Sequence, residues 1–331
     1  MNEDEFTSVC NNYQLIDKKF FPFPIYLVIA NKFQNLCKIN STVKLTYKKK
    51  DVCEFFIRSI FTLKKQKKIE LGKLLFNTKS ISHPGFNFFL NENNLYLSGK
   101  IKKINKLVFK KFNFSKPDKI KSHLKKCKKV VGFHTRNIPH KGHEWIHEYG
   151  LNKCKNILIQ PIISQFKRGE YTEEAVLKSN EFLVKSKNNI INNNFRYFFS
   201  FINLQPKYGG PRETLLHALI RKNYGCTHFL VGRDHAGFKN FYKIYESQNI
   251  CKKFENKLKI KILTYKSPKI CIKCKIVTNQ KCNCKNNLNN KFMRDINGSF
   301  IRKLLKNKQV LPPYLINRKY YQNLSIKKLI L

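Results

Sequence analysis

A short apolar run, Val130–Phe133, empties into the polar stretch His134-Thr135-Arg136-Asn137-Ile138-Pro139-His140-Lys141-Gly142-His143, and a helix-like segment opens at Glu144. No other feature constrains the fold as much. A buried strand that feeds a polar loop and then a helix is the unit from which helix-covered parallel sheets are built. The loop lies where N–H groups at the helix start point outward without intrahelical partners. Such an end holds phosphate, helped by the helix dipole. His140 and His143 stand three apart and can share one side of the first turn. Imidazoles there, with Arg136 and Asn137 just before them, suit a triphosphate attacked at its α-phosphorus. Two ordinary surface histidines would give the same short pattern.

The alternation continues along the chain. Val130–Phe133, Ile157–Ile162, Phe198–Leu204, Phe229–Val231 and Leu258–Thr264 read as strands. His143–Tyr149, Thr172–Ser186, Glu213–Asn223 and Phe238–Gln248 read as helices. In such sheets ligands bind beyond the carboxyl ends of the strands. A second candidate sits at one of these ends, because Gly232-Arg233-Asp234-His235-Ala236-Gly237 directly follows Phe229-Leu230-Val231. Upstream, Pro211 and Glu213 suit the first turn of a helix, Leu215, Leu216, Leu219 and Ile220 its buried face, and Gly225 its end. Before residue 125 the pattern changes. Short β-like runs, Tyr26–Ile29, Val43–Thr46, Val52–Ile60 and Leu95–Leu97, are separated by polar turns and carry no cluster of reactive groups. That is the signature of a small β-rich domain. Lys119–Lys129 reads as a charged, partly helical connector, residues 285–291 as an Asn-rich loop, and no internal repeat is visible.

The net charge of +46 points toward nucleic acid, through clusters such as Lys48–Lys50, Lys64–Lys68, Lys100–Lys111 and Lys125–Lys129. The joint abundance of Lys, Asn, Ile, Phe and Tyr favours compositional drift toward A- and T-rich codons instead. Six of the ten arginines lie between Arg136 and Arg233. Lysine thus fills places where any cation serves, and arginine stays where a planar, two-pronged donor is useful. Met1-Asn2-Glu3-Asp4-Glu5 has no export pattern, and no apolar run reaches the roughly 18 residues of a membrane span. A cytoplasmic protein without membrane attachment is expected. Eleven cysteines then read as thiols rather than a disulfide framework. Cys271, Cys274, Cys282 and Cys284 fall close together, with spacing compatible with a tetrahedral thiolate site or with a degenerate remnant of one.

T-R-N-x-P-H-x-G-H from Thr135, G-P-R-E from Gly210 and G-R-D-H-A-G from Gly232, in this order and spacing, resemble the ATP sulfurylase family. The likeness covers most of residues 126–331 and is weaker before them, through His83-Pro84-Gly85 and Tyr96-Leu97-Ser98-Gly99. It implies a β-rich PUA-like domain over 1–125, a Rossmann-like α/β nucleotidylyltransferase core with a parallel sheet over 126–264, and a small C-terminal region over 265–331. It also implies a reaction. A sulfate oxygen attacks the α-phosphorus of Mg-ATP in line, giving adenosine 5′-phosphosulfate and pyrophosphate, or the reverse. Sulfate is already ionised and needs no general base, so the protein positions reactants and neutralises charge. Motifs rich in donors and poor in carboxylates fit that task.

By this resemblance Thr135, Arg136 and Asn137 are catalytic, while His134, Arg136 and the Ala236 backbone N–H bind sulfate. His134, Thr135, Arg136, Asn137, His140, His143, Gly232, Arg233, Asp234, His235 and Leu263 bind ATP. Arg233 paired with Asp234 is the structural alternative, and Arg212 and Glu213 read as organisers of the loop at their helix start. The chain departs from the family at His134, where Gln is usual, at Pro206, where Met is usual, and at Lys207, where Arg is usual. A neutral histidine still keeps one donor. Some bacterial and archaeal members hold zinc with three cysteines and a histidine. The resemblance therefore implies a structural zinc on Cys271, Cys274, Cys282 and Cys284, with Cys284 in the histidine's place. Ile296-Asn297-Gly298-Ser299 and Pro312-Pro313 resemble the family's I-S-G-T…R…P-P tail. No G-x-x-x-x-G-K-[ST] loop is present, so a fused kinase is not expected. A homodimer is compatible with the family. Two rival readings are a related nucleotidylyltransferase with another acceptor and a basic nucleic-acid-binding protein with a zinc module.

Overall fold

The computed structural model describes residues 1–47, 49–105, 116–164, 169–190, 194–282, 284, 291–296, 298–322 and 329–330. Asn297, Lys48, the end of the Lys100–Lys111 cluster and residues 285–290 of the Asn-rich loop lie outside the described residues. The chain divides into two compact units. The first is Met1–Phe114 with Lys207–Leu219 and Asp234–Leu258; the second is Ser115–Pro206 with Ile220–Arg233 and Lys259–Leu331.

In the first unit, α1 (Glu3–Asn12) starts at Asn2, whose side chain accepts from the Glu5 N–H at 2.8 Å. Glu3, Asp4 and Glu5 complement the positive end of its dipole. Strands β1 (Leu27–Ile29), β2 (Thr42–Tyr47) and β3 (Lys50–Thr62) follow, then α2 (Lys65–Phe76), α3 (Pro84–Asn91) and β4 (Leu95–Ile104). The four strands form an antiparallel sheet in the order β1-β4-β3-β2. Alternation along β3 turns Cys53, Phe55 and Ile57 inward. Each β-like run of the sequence lies on one of these strands, but the three helices carried no comparable signal. In α2 the lysines obscure a short stripe of Leu71, Leu75 and Phe76, and one of them, Lys68, is itself buried, donating to the carbonyls of Glu92 and Asn93.

The second unit begins with α4 (Pro117–Leu124) and continues through β5 (Val131–Thr135), α5 (Lys141–Cys154), β6 (Asn156–Ile163), α6 (Glu173–Asn188), β7 (Arg196–Phe199) and β8 (Ile202–Asn203). Helix α7 (Gly210–Asn223) contributes residues 210–219 to the first unit and the rest to the second. Next come β9 (His228–Val231), then α8 (Glu246–Lys253) and α9 (Glu255–Leu258) of the first unit, and β10 (Lys261–Thr264) of the second. The parallel sheet runs β10-β9-β5-β6-β7, with β8 pairing β6. The chain therefore winds from β5 out to β7 and resumes on the other side with β9 and β10. The switch between β5 and β9 is where open α/β sheets leave a crevice at their carboxyl ends. Burial of Val131, Phe133, Ile157, Leu158, Ile159, Phe229 and Leu230 explains the continuous apolar runs, since such a sheet is covered on both faces.

Three segments differ from the sequence expectation. The predicted strand Phe198–Leu204 is broken into β7 and β8 around Ser200, whose N–H donates to the Ile159 carbonyl. Leu258 ends α9 and does not open β10. Only the end of Phe238–Gln248 is helical. Residues 238–245 form turns because Glu246 accepts from the Lys243 N–H, the Ile244 carbonyl accepts from Asp234, and Phe238 and Phe241 meet the His83 ring edge-on. Beyond β10, the strands β11 (Lys269–Cys271), β12 (Val277–Thr278) and β13 (Met293–Asp295) make a small antiparallel sheet ordered β12-β11-β13. Helix α10 (Gly298–Lys306) inserts Ile301 and Leu305 into the core shared with Val131, Phe133 and Tyr171. Among the described residues no helix is long and apolar enough to cross a membrane.

Candidate anion and nucleotide site

The carboxyl end of β5 is turned by a local bond, in which the Thr135 hydroxyl accepts from the Asn137 N–H at 3.0 Å. Asn180 of α6 secures the same turn, donating to the Asn137 carbonyl at 3.1 Å and to that of Val176 at 2.8 Å. Arg136, Asn137, Glu170, Tyr171 and Arg302 line a pocket of about 190 Å³. Arg136 Nη2 lies 3.1 Å from Glu170 Oε2, with both side chains partly exposed. Arg302 Nη1 donates to Asn137 Oδ1 at 2.8 Å, and its Nη2 to the Ser299 hydroxyl at 3.2 Å. The same guanidinium stands 5.5 Å from the centre of the Tyr171 ring. Two guanidiniums against one carboxylate leave the pocket positive, and Arg136 can grip a tetrahedral anion in fork fashion, while both Nη atoms of Arg302 are engaged by Asn137 and Ser299. A larger pocket in the first unit, about 480 Å³ between Lys44, Asp51, Glu54 and Lys103, mixes charges of both signs and presents no such array.

His140 caps α5: its Nδ1 accepts from the His143 N–H at 3.3 Å, and the two rings stack at 3.7 Å between centroids. His147, one turn further, sits 4.4 Å from the Phe133 ring. All three are buried, so they are not ordinary surface histidines. Burial pulls the His140 pKa down to about 4 and that of His147 to about 3, and holds His143 well below its ordinary value. They are neutral at physiological pH. The helix start therefore offers hydrogen-bonding imidazoles, and the positive charge comes from the arginines.

At the neighbouring β9, Gly232 and Arg233 leave the strand. A Cβ on Gly232 would meet the Tyr265 hydroxyl at 2.6 Å. Arg233 Nη1 lies 4.0 Å from the Asp295 carboxylate of β13, with both side chains partly exposed. Leu263 lies on β10 in parallel register with Leu230.

Asp234, His235 and Ala236 belong to the first unit, where the loop is held tightly. Asp234 and Ala236 have φ of 49° and 58°. A Cβ on Gly237 would fall 1.8 Å from Asp234 Oδ1, so a side chain there would displace the Asp234 carboxylate. The Ala236 carbonyl accepts from Gly210, and the His235 carbonyl accepts from the hydroxyls of Thr214 and Ser247. His217 Nδ1 lies 3.2 Å from His235 Nε2, and its own Nε2 is 3.5 Å from the Glu213 carboxylate. Burial, the strongest influence on Glu213, raises its pKa, but the His217 contact and the Lys207 and Gly209 N–H groups together outweigh it and hold the carboxyl below its usual value. Arg212 donates to the carbonyls of Pro22, Cys10, Leu74 and Val9. Glu213 thus organises the loop at the helix start, as the sequence suggested, whereas Arg212 ties the helix to carbonyls of residues 9, 10, 22 and 74.

Cys271, Cys274, Cys282 and Cys284 converge, with all four sulfurs within 4.8 Å of one another and none in a disulfide. The Cys271–Cys284 and Cys274–Cys282 sulfurs are 3.7 and 3.3 Å apart. A tetrahedron with metal–sulfur bonds of about 2.3 Å has edges of about 3.8 Å, so the set fits one metal ion. Lys275 takes a left-handed φ of 62° and donates to the Cys271 carbonyl, forming the knuckle. The Cys274 and Lys273 N–H groups pull the Cys271 pKa to about 6 despite its burial, which favours a thiolate.

Glu170, Tyr171, His147, His217 and Arg302 were not singled out in the sequence as site residues. Their local signals were slight. Glu170-Tyr171 precede the Thr172 cap of α6, and Arg302 follows Gly298 in the tail motif.

A model of the ATP-sulfurylase family matches residues 113–326, and a model of a PUA-like domain matches residues 1–106. A sulfate adenylyltransferase of Carboxydothermus hydrogenoformans is 32% identical, over 98% of this chain and 86% of its own length. One from Pyrococcus abyssi is 29% identical, over 97% and 82%. Among solved structures, a hexameric APS kinase from Thiobacillus denitrificans superposes with a TM-score of 0.67 at 13% identity, covering 98% of this chain, which spans 57% of that one. At that identity the superposition speaks for the fold alone.

Proposed function

The chain belongs to the ATP-sulfurylase family, and from that premise we propose that it joins the adenylyl group of ATP to sulfate, releasing pyrophosphate, and runs the reverse reaction as well. The observation that carries this reading is the pocket beyond β5, about 190 Å³, where Arg136 and Asn137 stand as donors with Arg302 bonded to the Asn137 amide. In the forward direction Arg136 takes two sulfate oxygens, and a third oxygen attacks the α-phosphorus as the bond to pyrophosphate breaks on the opposite side. Negative charge spreads over the phosphoryl oxygens, where Asn137 and Thr135 donate hydrogen bonds. His140 and His143 serve as neutral partners of the phosphates, and Mg²⁺ accompanies ATP. His134, Gly232, Arg233, Asp234, His235 and Leu263 complete nucleotide binding, and the Ala236 N–H completes the sulfate site. The three-part division at 125/126 and 264/265 follows from the same reading.

Structural zinc is the ion assigned to the four cysteines. An all-thiolate set leaves no open position for chemistry, so its task is to fasten the C-terminal region. Purified protein should carry about one zinc per chain, and Cys274→Ser should lose it with a lowered Tm; metal-free protein of equal Tm would reject the assignment. The functional reading is tested by pyrophosphate release from ATP. Release that requires sulfate supports it. Release only with another anion would make the chain a nucleotidylyltransferase with a different acceptor, and no release in either direction would reject it.

A further inference from the structure

We propose that Arg302 is a positioning residue for adenylyl transfer, acting through the side-chain amide of Asn137. The inference rests on the function proposed above and adds a residue from the C-terminal helix to it. A guanidinium has only donors, so whichever amide atom it meets must be the oxygen. The 2.8 Å bond from Arg302 Nη1 therefore fixes the amide with Oδ1 toward α10 and leaves Nδ2 as the group offered elsewhere. That orientation matters for an anion. Sulfate and phosphate oxygens accept hydrogen bonds and repel a carbonyl oxygen, so a flipped Asn137 would oppose the charge it is meant to stabilise.

The surroundings hold this arrangement from three sides. Arg302 is braced by the Ser299 hydroxyl and by the Tyr171 ring, and Asn180 fixes the Asn137 backbone. Gly298 contributes closeness. A Cβ there would lie 2.7 Å from Asn137 Oδ1 and 2.9 Å from its Cγ, so any side chain would push the amide aside. The start of α10 is thus built to approach one particular amide.

The test is a double-mutant cycle on sulfate-dependent turnover with Asn137→Ala and Arg302→Met. Arg302→Met should lower kcat about tenfold or more, as loss of an oriented donor does, while the KM for ATP changes little. The double variant should be no worse than Asn137→Ala alone, within about twofold, because Arg302 has nothing left to orient. Arg302→Lys, which keeps a donor, should recover part of the loss and stands in for Arg302→Met in the cycle if the latter does not fold. Losses that multiply would overturn the proposal, as would a Lys variant no better than Met. The same cycle is read on sulfate binding by calorimetry with α,β-methylene-ATP present. A wild-type chain that binds sulfate with this non-additivity but never turns over would reject the proposed function and keep the role of Arg302. Additive binding effects would reject that role whatever the turnover.

Discussion

Three histidines and two arginines flank the end of β5, and they meet opposite fates. His140, His143 and His147 are buried, His140 stacked on His143 and the other two against Phe133, whereas Arg136 and Arg302 stay partly exposed around the pocket. The difference lies in what each group can surrender. An imidazole sheds its proton near neutrality and can then be buried at modest cost, so burial carries His140 and His147 down to about 4 and about 3. A guanidinium keeps its proton, and these two keep a partner as well, Glu170 for Arg136 and the Asn137 oxygen for Arg302. The sequence stretch that looks uniformly basic therefore separates into a rigid neutral block, which orders the start of α5, and a charged pocket able to receive an anion.

The strongest way to break this comparison is to weaken one arginine without removing its charge. Arg136→Lys retains a cation and loses the planar fork, so turnover should fall about tenfold or more, equivalent to roughly 1.4 kcal/mol in the barrier. Steady-state rates of pyrophosphate release measure it. A lysine variant with near-normal turnover would mean that charge alone suffices, and the distinction between point charge and fork would disappear.

The histidine block should reveal itself in stability. Folded pKa values of about 4 and about 3 lie below the value of about 6.5 expected in the unfolded chain, so the unfolded state takes up protons first as pH falls. The contribution is intact above about pH 6.5 and declines toward pH 4, at about 1.4 kcal/mol per pH unit for each proton. Chemical denaturation at pH 7 and pH 5 should show the loss, and His147→Leu should reduce its slope by about one proton. Equal slopes in the two proteins would show that His147 is not held neutral by burial.

How far the sequence foretold this arrangement depends on how local each signal was. The strand, the turn at Thr135 and the helix start at His140 are written in adjacent residues, as are the four cysteines that converge. The pocket's remaining walls are not. Glu170 joins Arg136 from 34 positions away and Arg302 joins Asn137 from 165, so only the folded chain brings them together. Burial was equally hidden. His140 and His143 look polar in a polar stretch, and nothing in their neighbours says that both will be buried, stacked on each other with Phe133 and His147 beside His143. The helices of the first unit and the small β11–β13 sheet were also missed, because lysine-rich faces mask the apolar stripe in α2, and two- or three-residue strands carry no readable period.

The smallest expected effect concerns Glu170, and it sharpens the comparison from the charged side. Its carboxylate occupies the Arg136 guanidinium at 3.1 Å, the kind of contact a sulfate oxygen would make. An anion entering the pocket must share or displace it, so Glu170 competes for the fork. The competition is mild, since the side chains are 26% and 30% exposed and water screens the pair. Such ion pairs are worth about 0–1 kcal/mol, which limits the effect to about fivefold in affinity. Glu170→Gln keeps the shape, removes the charge and should lower the sulfate KM by about threefold. The gain should shrink as salt is raised, because screening already weakens the wild-type pair. A rise in sulfate KM would reverse the assignment: Glu170 would then be holding Arg136 in its productive pose, and the pair would belong to the site's support instead of its competition.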